Sequence, residues 1–520
     1  MNSSSATNRQ YDVVVLGGAL SGAATALILK RNNPALRIVI LERTEHLKRR
    51  VGEATIELST YFLSRVLGLT RFLNETQFSK QGLRFWFCNK DTTSLGDSSE
   101  VGGKYLSRVP AYLVDRAVMD TEVLRLAKEA GVEVLRPATV QKVELNPGGI
   151  QKVHGRSGDE AVTWEARWVV DASGVAALLA RQEGWLKSNK EHPTCVAWSR
   201  WRGVKDFDDR SLAQKYPKYG AACFGQRGTA TNHFIGDGWW AWCIPLKGGD
   251  VSIGCVFDPR FFDWDKAAKG ATVAERLKSV LDTHPVAREI MEKAEWEEGD
   301  VHWRRNLAYS CSTTAGDGFV LVGDASGFLD PFYSPGLDWV SFTTMRAVDL
   351  IETQKMGKPL PDAIRRHNED FEKSYRRWFA AIYKDKYAYM GDYELMRIAL
   401  LLDVGIYYMG VASQPFIRGE KALLEPYFAT PPSVPVFYLM RQYHRRLVAI
   451  AQRRRHDGRW GCRNTGSRFM IPGFNYGPAT AWMVLKTLGC WIALEVREGW
   501  KSWFWKPATE VSPTAASTPV

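Results

Sequence analysis

The stretch 320–337, VLVGDASGFLDPFYSPGL, combines residue types that could hold a cofactor. Gly323 and Gly327 let the backbone approach a ligand at points where a side chain would collide with it. Asp324 can accept hydrogen bonds from the hydroxyl groups of a sugar or a ribityl chain. The turn at 334–336 opens a helix, and the positive end of that helix would attract an anion at the same place.

A second glycine-rich turn lies near the start of the chain, between a strand-like run and a helical pattern. The β-branched residues at 11–16 predict the strand, and the alanine-rich segment at 23–30 predicts the helix. Between them, Gly17 and Gly22 hold the outer positions of the dinucleotide fingerprint, and Ala19 replaces its middle glycine. This arrangement predicts a seat for the pyrophosphate of a dinucleotide.

An acidic residue follows this turn at the spacing that the fingerprint requires. The strand-like run at 37–41 ends at Glu42, where a carboxylate would accept the hydroxyls of an adenosine ribose. Glu53, Arg116 and Asp171 then follow short runs that return to the same ligand, which favours FAD lying extended through the domain over NAD. We expect the FAD-binding residues to be Gly17, Gly18, Ala19, Ser21, Gly22, Glu42, Arg43, Glu53, Arg116, Val140, Asp171, Gly323, Asp324, Gly336 and Leu337.

The elements that position these residues predict an α/β protein. We expect a discontinuous Rossmann-like FAD-binding domain of the p-hydroxybenzoate hydroxylase type at 10–80, 105–190 and 300–400. Period-two runs predict an inserted antiparallel β-sheet substrate domain at 81–104 and 191–299. A helical C-terminal region at 401–507 and a disordered tail at 508–520 complete the prediction.

Length and composition limit the classes of protein that the chain could represent. Its 520 residues suffice for two or three domains, and its eight cysteines are scattered without zinc-ligand spacing. We therefore expect no metal and no structural disulfide. No apolar run long enough to span a membrane and no signal peptide were found, so we expect no transmembrane span and a cytoplasmic location.

The formal charge of +12 raises the question of an acidic partner. No nucleic-acid-binding motif accompanies the basic residues, so we expect no nucleic acid. Two interpretations stay open for the late basic stretch, a solvated helix face or a surface that docks an acidic carrier protein or another anionic surface. Its members are Arg441, His444, Arg445, Arg446, Arg453, Arg454, Arg455 and Arg459.

Taken together, these motifs resemble the flavin-dependent halogenases, a branch of the FAD-dependent monooxygenase class. The two glycine segments are shared by the whole class. The halogenase signature W-x-W-x-I-P is matched by Trp240, Trp242, Ile244 and Pro245, and the catalytic lysine of the family is matched by Lys80. The resemblance covers about residues 10–400.

The resemblance implies a mechanism. Reduced FAD would react with O2 to give a C4a-hydroperoxide, which would oxidise chloride or bromide to hypohalous acid. Lys80 would then activate the halogen, either as a hydrogen-bonding ammonium or as an N-haloamine. The W-x-W-x-I-P residues would line the channel and keep the substrate away from the flavin.

The resemblance also places the halide beside the helix that opens after 334–336, near Ser334, Pro335 and Gly336. Pro335 departs from some relatives because proline has no N–H to donate, so Gly336 and neighbouring amides must bind the halide. Tyr333 stands where tryptophan halogenases carry a glutamate. We therefore expect an electron-rich phenolic or pyrrolic substrate, free or tethered to a carrier protein, because a phenol or pyrrole stabilises its own cationic intermediate.

The lack of a second nucleotide-binding motif predicts a partner protein. No second strand-turn-helix nucleotide motif appears after residue 50, so we expect a separate NAD(P)H-dependent flavin reductase to supply the reduced FAD.

Three alternatives stay open at this point. They are an FAD-dependent aromatic hydroxylase, an FAD-dependent reductase of prenyl or lipid substrates that the basic, tryptophan-rich C-terminus would suit, and an FAD-binding scaffold without enzymatic activity.

Overall fold

The computed structural model describes residues 7–223 and 225–503. Its α-helices are α1 (Leu20–Asn32), α2 (Glu57–Tyr61), α3 (Thr70–Thr76), α4 (Arg116–Glu129), α5 (Leu178–Gln182), α6 (Arg210–Lys215), α7 (Pro217–Ala222), α8 (Trp264–Ala267), α9 (Val273–Leu281), α10 (Pro285–Ile290), α11 (Gly336–Lys355), α12 (Leu360–Trp378), α13 (Tyr393–Tyr407), α14 (Gln414–Arg418), α15 (Val434–His456) and α16 (Pro478–Arg497).

The strands are β1 (Thr7–Leu16), β2 (Ile38–Leu41), β3 (Phe78–Ser79), β4 (Leu83–Phe87), β5 (Ser99–Gly103), β6 (Tyr112–Leu113), β7 (Glu133–Leu135), β8 (Ala138–Glu144), β9 (Gln151–Ser157), β10 (Glu160–Asp171), β11 (Leu186–Ser188), β12 (Cys195–Arg202), β13 (Thr231–Ile235), β14 (Trp239–Pro245), β15 (Val251–Phe257), β16 (Glu295–Arg304), β17 (Tyr309–Cys311), β18 (Ala315–Gly316), β19 (Phe319–Leu321), β20 (Gly327–Phe328) and β21 (Arg468–Ile471).

The first sheet confirms the Rossmann-like FAD-binding fold. Five parallel strands lie in the order β19, β10, β1, β2, β7, and β18 adds an antiparallel edge. The small residues Ala23, Ala24 and Ala26 are fully buried in α1, which packs between α4 and α11. Because parallel strands place their carboxyl ends at one edge, the turns after β1, β10 and β19 meet there.

The second sheet is largely antiparallel, as predicted, but not entirely. It has eight strands in the order β16, β12, β15, β14, β13, β4, β5, β21, and two of its pairs, β13 with β4 and β21 with β5, are parallel. The sheet is therefore mixed, because β4 and β5 come from the chain ahead of the main insertion and β21 comes from the C-terminal region. The predicted boundary at 299 also falls inside β16.

The C-terminal region is helical, as expected, but part of its basic stretch is not a solvated face. On α15, Arg454 is 3 % exposed and donates to Asp392 at 2.8 Å and to Glu498 at 2.5 Å. Arg446 and Arg455 also pair with carboxylates of other segments. The interpretation as a solvated face is therefore wrong for these arginines, which fasten α15 to its neighbours. The predicted disordered tail lies outside the described residues.

Candidate active site

The turn between β1 and α1 leaves no room for side chains. Gly17 has φ +107°, and a Cβ added there would lie 2.6 Å from the carbonyl oxygen of Ala172. A Cβ on Gly22 would lie 2.0 Å from the carbonyl oxygen of Gly17. Ala19 precedes α1, and no side chain of the described residues caps the helix there, so the amides of its first turn can bind an anion.

Glu42 lies at the end of β2 and contacts the same turn. Its carboxylate accepts from the amide of Gly18 at 2.8 Å and from the amide and hydroxyl of Thr44 at 3.0 and 2.8 Å. The carbonyl oxygen of Glu42 accepts from the amide of Ala138, where β8 begins, two residues before Val140. Arg43 is exposed beside it. These residues lie together at the end of the turn where the sequence predicts the adenosine.

Two predicted FAD ligands are occupied by protein partners. The carboxylate of Glu53 is buried, its pKa is raised to about 7 by burial, and it pairs with Arg200 of β12. Asp171 accepts from the amides of Ser173 at 2.9 Å and Leu179 at 2.8 Å, so its carboxylate shapes its own loop. Sequence reasoning missed Arg200, which links β12 of the second sheet to the segment that carries Glu53. Contact of these two carboxylates with the cofactor stays a prediction.

The segment after β19 approaches the first turn, as predicted. A Cβ on Gly323 would lie 3.2 Å from the Cβ of Ser21, and the Gly323 amide donates to Thr343 at 2.8 Å. Within residues 7–223 and 225–503, the Asp324 carboxylate has no hydrogen-bond partner. Burial raises its pKa, and the charge of Arg116 opposes this rise. A half-buried carboxylate without donors suits the hydroxyl groups of FAD.

Arg116 is placed near these segments, and its guanidinium is largely engaged. It donates to Asp120 at 2.9 and 3.1 Å and to the carbonyl oxygen of Val51 at 3.2 Å. The close backbone turns, the open amides of α1 and the carboxylate of Asp324 together fit an extended FAD.

The turn that precedes α11 is strained. Tyr333 and Ser334 have φ of +74° and +61°, a conformation that costs on the order of 1–3 kcal/mol for each non-glycine residue. The Ser334 amide donates to the carbonyl oxygen of Pro331 at 2.9 Å, and Pro335 has no amide proton. The first-turn amides of α11, from Gly336 and Leu337, are therefore the donors that can face a halide.

Tyr333 is held in this turn by a buried ionic cluster. Its hydroxyl donates to Asp403 at 3.0 Å, and Lys386 lies 4.6 Å from the centre of its ring. Asp403 also accepts from Lys386 at 2.8 Å and contacts His444 at 2.9 Å. Burial alone would raise the pKa of Asp403, but the charge of Lys386 and the contact with His444 hold it well below its usual range. Sequence reasoning missed this cluster because its members belong to separate helical segments.

Lys80 lies between β3 and β4 and is 2 % exposed. Its backbone amide donates to Ala111 at 2.8 Å, and its Nζ donates to the carbonyl oxygen of Thr55 at 2.9 Å. Burial lowers the pKa of Lys80 to about 8, although Glu57 and Asp338 favour the charged form. A lysine with this lowered pKa exists near neutral pH both as an ammonium, which can donate a proton, and as a free amine, which can act as a nucleophile.

Lys80 faces a cavity of 1310 Å³ whose wall is mainly apolar and aromatic. The cavity reaches Tyr333 and Pro335 on one side and α16 on another. Its size is above the range of about 300–1,000 Å³ usual for small-molecule sites. The cavity therefore joins the predicted halide turn to Lys80 and has room for a substrate larger than one ring.

Three carboxylates among the described residues line this cavity, and they differ in their partners. Asp403 is saturated by the cluster described above, and Glu425 pairs with Arg418. Glu57 accepts from the hydroxyl of Tyr408, and burial raises its pKa. Glu57 lies two residues beyond Thr55, the hydrogen-bond partner of Lys80, so it is a carboxyl group near Lys80. Its carboxylate could accept a proton from a substrate. The sequence holds no motif that identifies it.

The W-x-W-x-I-P residues lie on β14, behind the halide turn. The indole of Trp240 donates to Tyr387 at 2.8 Å and lies 5.0 Å from the ring of Phe332, while Trp242 donates to Ser252 at 3.1 Å. In the described part of the chain, none of Trp240, Trp242, Ile244 and Pro245 lines the cavity. Their predicted place along the substrate channel stays a prediction, and protein partners occupy the N–H groups of both indoles. The ring of Trp240 packs against Phe332, the neighbour of Tyr333.

The sequence of this chain is similar to those of known halogenases. The chain is 26 % identical over 398 residues to sulochrin halogenase gedL of Aspergillus terreus, covering 71 % of this chain and 68 % of that protein. It is 27 % identical over 364 residues to tetracycline 7-halogenase of Kitasatospora aureofaciens, covering 64 % and 61 %.

Solved structures share the fold. The crystal structure of halogenase PltM matches with a TM-score of 0.73 at 18 % identity, over 93 % of this chain and 97 % of that chain, and PltM has also been solved with phloroglucinol and FAD. The sequence profile described as Tryptophan halogenase matches residues 12–99 and 98–385. The chain therefore belongs to the tryptophan halogenase family, and it is a flavin-dependent halogenase of the FAD-dependent oxidoreductase class.

Proposed function

We propose that this enzyme chlorinates or brominates an electron-rich phenolic or pyrrolic substrate at Lys80. The observation that carries the proposal is a buried amine with a pKa of about 8, facing a large aromatic cavity that also reaches the halide turn. Bound FAD, once reduced, supplies with O2 the two-electron oxidation that converts halide to hypohalous acid. The cofactor would be held by the glycine turn at 17–22, by Asp324 and by the first-turn amides of α1.

The steps before and after halide oxidation depend on groups of this chain. The first-turn amides of α11 bind and orient the halide near Tyr333. Lys80, which lines the same cavity, receives the oxidised halogen, and its ammonium can donate to the hypohalous oxygen or its amine can carry the halogen. The aromatic wall limits water, which would otherwise consume the oxidant.

Glu57 is placed to take the proton of a substrate hydroxyl. A phenol directs electrons into its ring more strongly as it loses that proton, so a nearby base accelerates attack on the halogen. The raised pKa of Glu57 brings it closer to the pH at which the enzyme works, which suits a general base. Tyr408 keeps the carboxyl oriented toward the cavity.

Changing Glu57→Gln should therefore slow halogenation of a phenol by roughly 100-fold, because an amide cannot accept the proton. The loss should shrink for phenols that carry electron-withdrawing substituents and should vanish for the methyl ether of the same ring. Steady-state rates with the three substrates test this role. An equal loss with the methyl ether would show that Glu57 acts on structure and not on the proton.

The substrate class follows from Tyr333. Its hydroxyl is engaged by Asp403, so a neutral ring faces the cavity at this position. We expect turnover of a resorcinol to exceed that of free tryptophan at equal reduced flavin, because an indole receives no carboxylate assistance from this turn. Product yields from the resorcinol and from tryptophan, measured side by side, test this expectation. A clear preference for tryptophan would refute the argument from Tyr333.

Two findings on relatives support a phenol or a pyrrole. PltM was solved with phloroglucinol, an electron-rich phenol. A relative in Pseudomonas fluorescens, 24 % identical over 401 residues, is named 1H-pyrrole-2-carbonyl-[peptidyl-carrier protein] chlorinase, which supports the carrier-tethered form of the substrate.

A separate flavin reductase completes the proposed system. The purified protein with NADH and FAD should give negligible product until a reductase is added, because its sequence contains one dinucleotide turn. Product formation with and without the reductase is the measurement. Equal rates in both would mean that the protein reduces its own flavin.

The reaction class is tested with reduced FAD, O2, bromide and an electron-rich probe. Mass spectrometry should show replacement of a ring hydrogen by bromine. Insertion of oxygen would instead identify an aromatic hydroxylase, and no change in the probe would leave the proposed activity without support.

A further inference from the structure

The outer side of α16 and of the turn that follows it, at 478–503, is apolar and exposed, and we call it the α16 face. Trp482 is 70 % exposed, Ile492 58 % and Val496 73 %. Their spacing places them on one side of the helix. Further exposed apolar members are Leu485, Trp500 and Trp503. The opposite side of α16, with Val484 and Leu494, is buried and packs against α13.

The charges on the α16 face have one sign. Lys486, Arg497 and Lys501 are exposed. The two carboxylates of the segment turn inward, because Glu495 is bound by Arg446 and Glu498 is bound by Arg454. Within 478–503, every exposed charged side chain is therefore a cation, and one of them, Arg497, also pairs with Glu394 and Glu498.

We propose that the α16 face binds an anionic lipid surface. Apolar and tryptophan side chains beside lysine and arginine are the composition of helices that lie in the membrane interface. Lys486 and Lys501, which have no carboxylate partner among the described residues, would attract anionic headgroups. A second copy of the chain, docked face to face, would instead bring these cations against one another.

The packing of α16 favours lying along the surface over crossing the bilayer. Two segments, Tyr393–Leu424 and Pro478–Arg497, are long and apolar enough to cross a membrane by length and composition alone. The first has 61 % of its most apolar window buried and the second 22 %. Since the inner side of α16 packs on α13 and its Glu495 pairs with Arg446 of α15, the helix stays on the protein and presents one side outward.

The α16 face adjoins the cavity that holds Lys80. Trp482 and Lys486 belong to both, and Trp482 is largely exposed, so the cavity opens at the edge of this face. A lipophilic aromatic dissolved in the bilayer could then enter without crossing water. This consequence rests on the proposed function, whereas lipid binding itself does not.

Cosedimentation of the full chain with vesicles tests the proposal. Vesicles of phosphatidylcholine mixed with phosphatidylglycerol should bind the protein, vesicles of phosphatidylcholine alone should bind it less, and high salt should weaken the binding. The combined changes Leu485→Ser, Ile492→Ser and Val496→Ser should weaken binding by at least about tenfold. In the described part of the chain, none of these three residues lines the cavity that holds Lys80.

The matched control changes exposed apolar residues elsewhere, Ile150→Ser and Met356→Ser, and should bind vesicles like the unchanged protein. Circular dichroism and thermal unfolding verify that all variants fold. No binding to anionic vesicles, or equal binding by the α16 variant, would overturn the proposal, as would a dimer that the α16 variant dissociates. Vesicle cosedimentation needs neither substrate nor turnover. Its result is therefore independent of whether the halogenation assay succeeds.

Discussion

Replacing Lys80 with alanine should lower the halogenation rate by about 100-fold or more, the effect expected for a positioned acid or halogen carrier. The FAD site should be unaffected, because Lys80 contacts Thr55 and Ala111 and lies at the cavity, away from the glycine turn at 17–22. Product yield and bound flavin absorbance are measured on the same samples. Lys90→Ala, at an exposed position, is the matched control and should keep full activity.

The pH dependence separates the two roles of Lys80. With a pKa lowered to about 8, the ammonium form is lost as the pH rises through 8. If the ammonium acts as a hydrogen-bond donor, the rate falls above this pH, and if the free amine carries the halogen, the rate rises. Near-normal halogenation by the alanine variant would remove Lys80 from the mechanism.

Gly17→Val should abolish FAD binding. A Cβ at this position would lie 2.6 Å from the carbonyl oxygen of Ala172, and φ of +107° disfavours every residue with a side chain. The turn must therefore shift away from the place where the pyrophosphate approaches. The expected result is a protein that retains no flavin absorbance after gel filtration with excess FAD.

The control for this variant is Gly489→Val, where an added Cβ meets nothing within 4 Å among the described residues. Far-UV circular dichroism of the apo proteins checks that Gly17→Val folds, and Gly17→Ala provides a milder change if it does not. Retention of stoichiometric FAD by both Gly17 variants would refute the assignment of this turn to the pyrophosphate.

Glu53 and the late arginines show the limit of local patterns. Glu53 follows a local motif, yet it pairs with Arg200, 147 residues away in sequence. Arg454 belongs to a run of basic residues that suggests a solvated surface, yet it binds three carboxylates from two separate segments. Charge patterns in sequence predict the sign of a surface and not the partner that each side chain finds.

The sequence by itself determined the FAD-binding fold, because strand, glycine turn and helix are adjacent in the chain and Gly17 adopts a backbone conformation that favours glycine. It also predicted the buried Lys80 as the reactive amine, through a motif resemblance. Only the tertiary structure placed Glu57 near Lys80 and turned the carboxylates of α16 inward. Those arrangements depend on side chains that meet across distant segments during packing, and local spacing carries no information about such encounters.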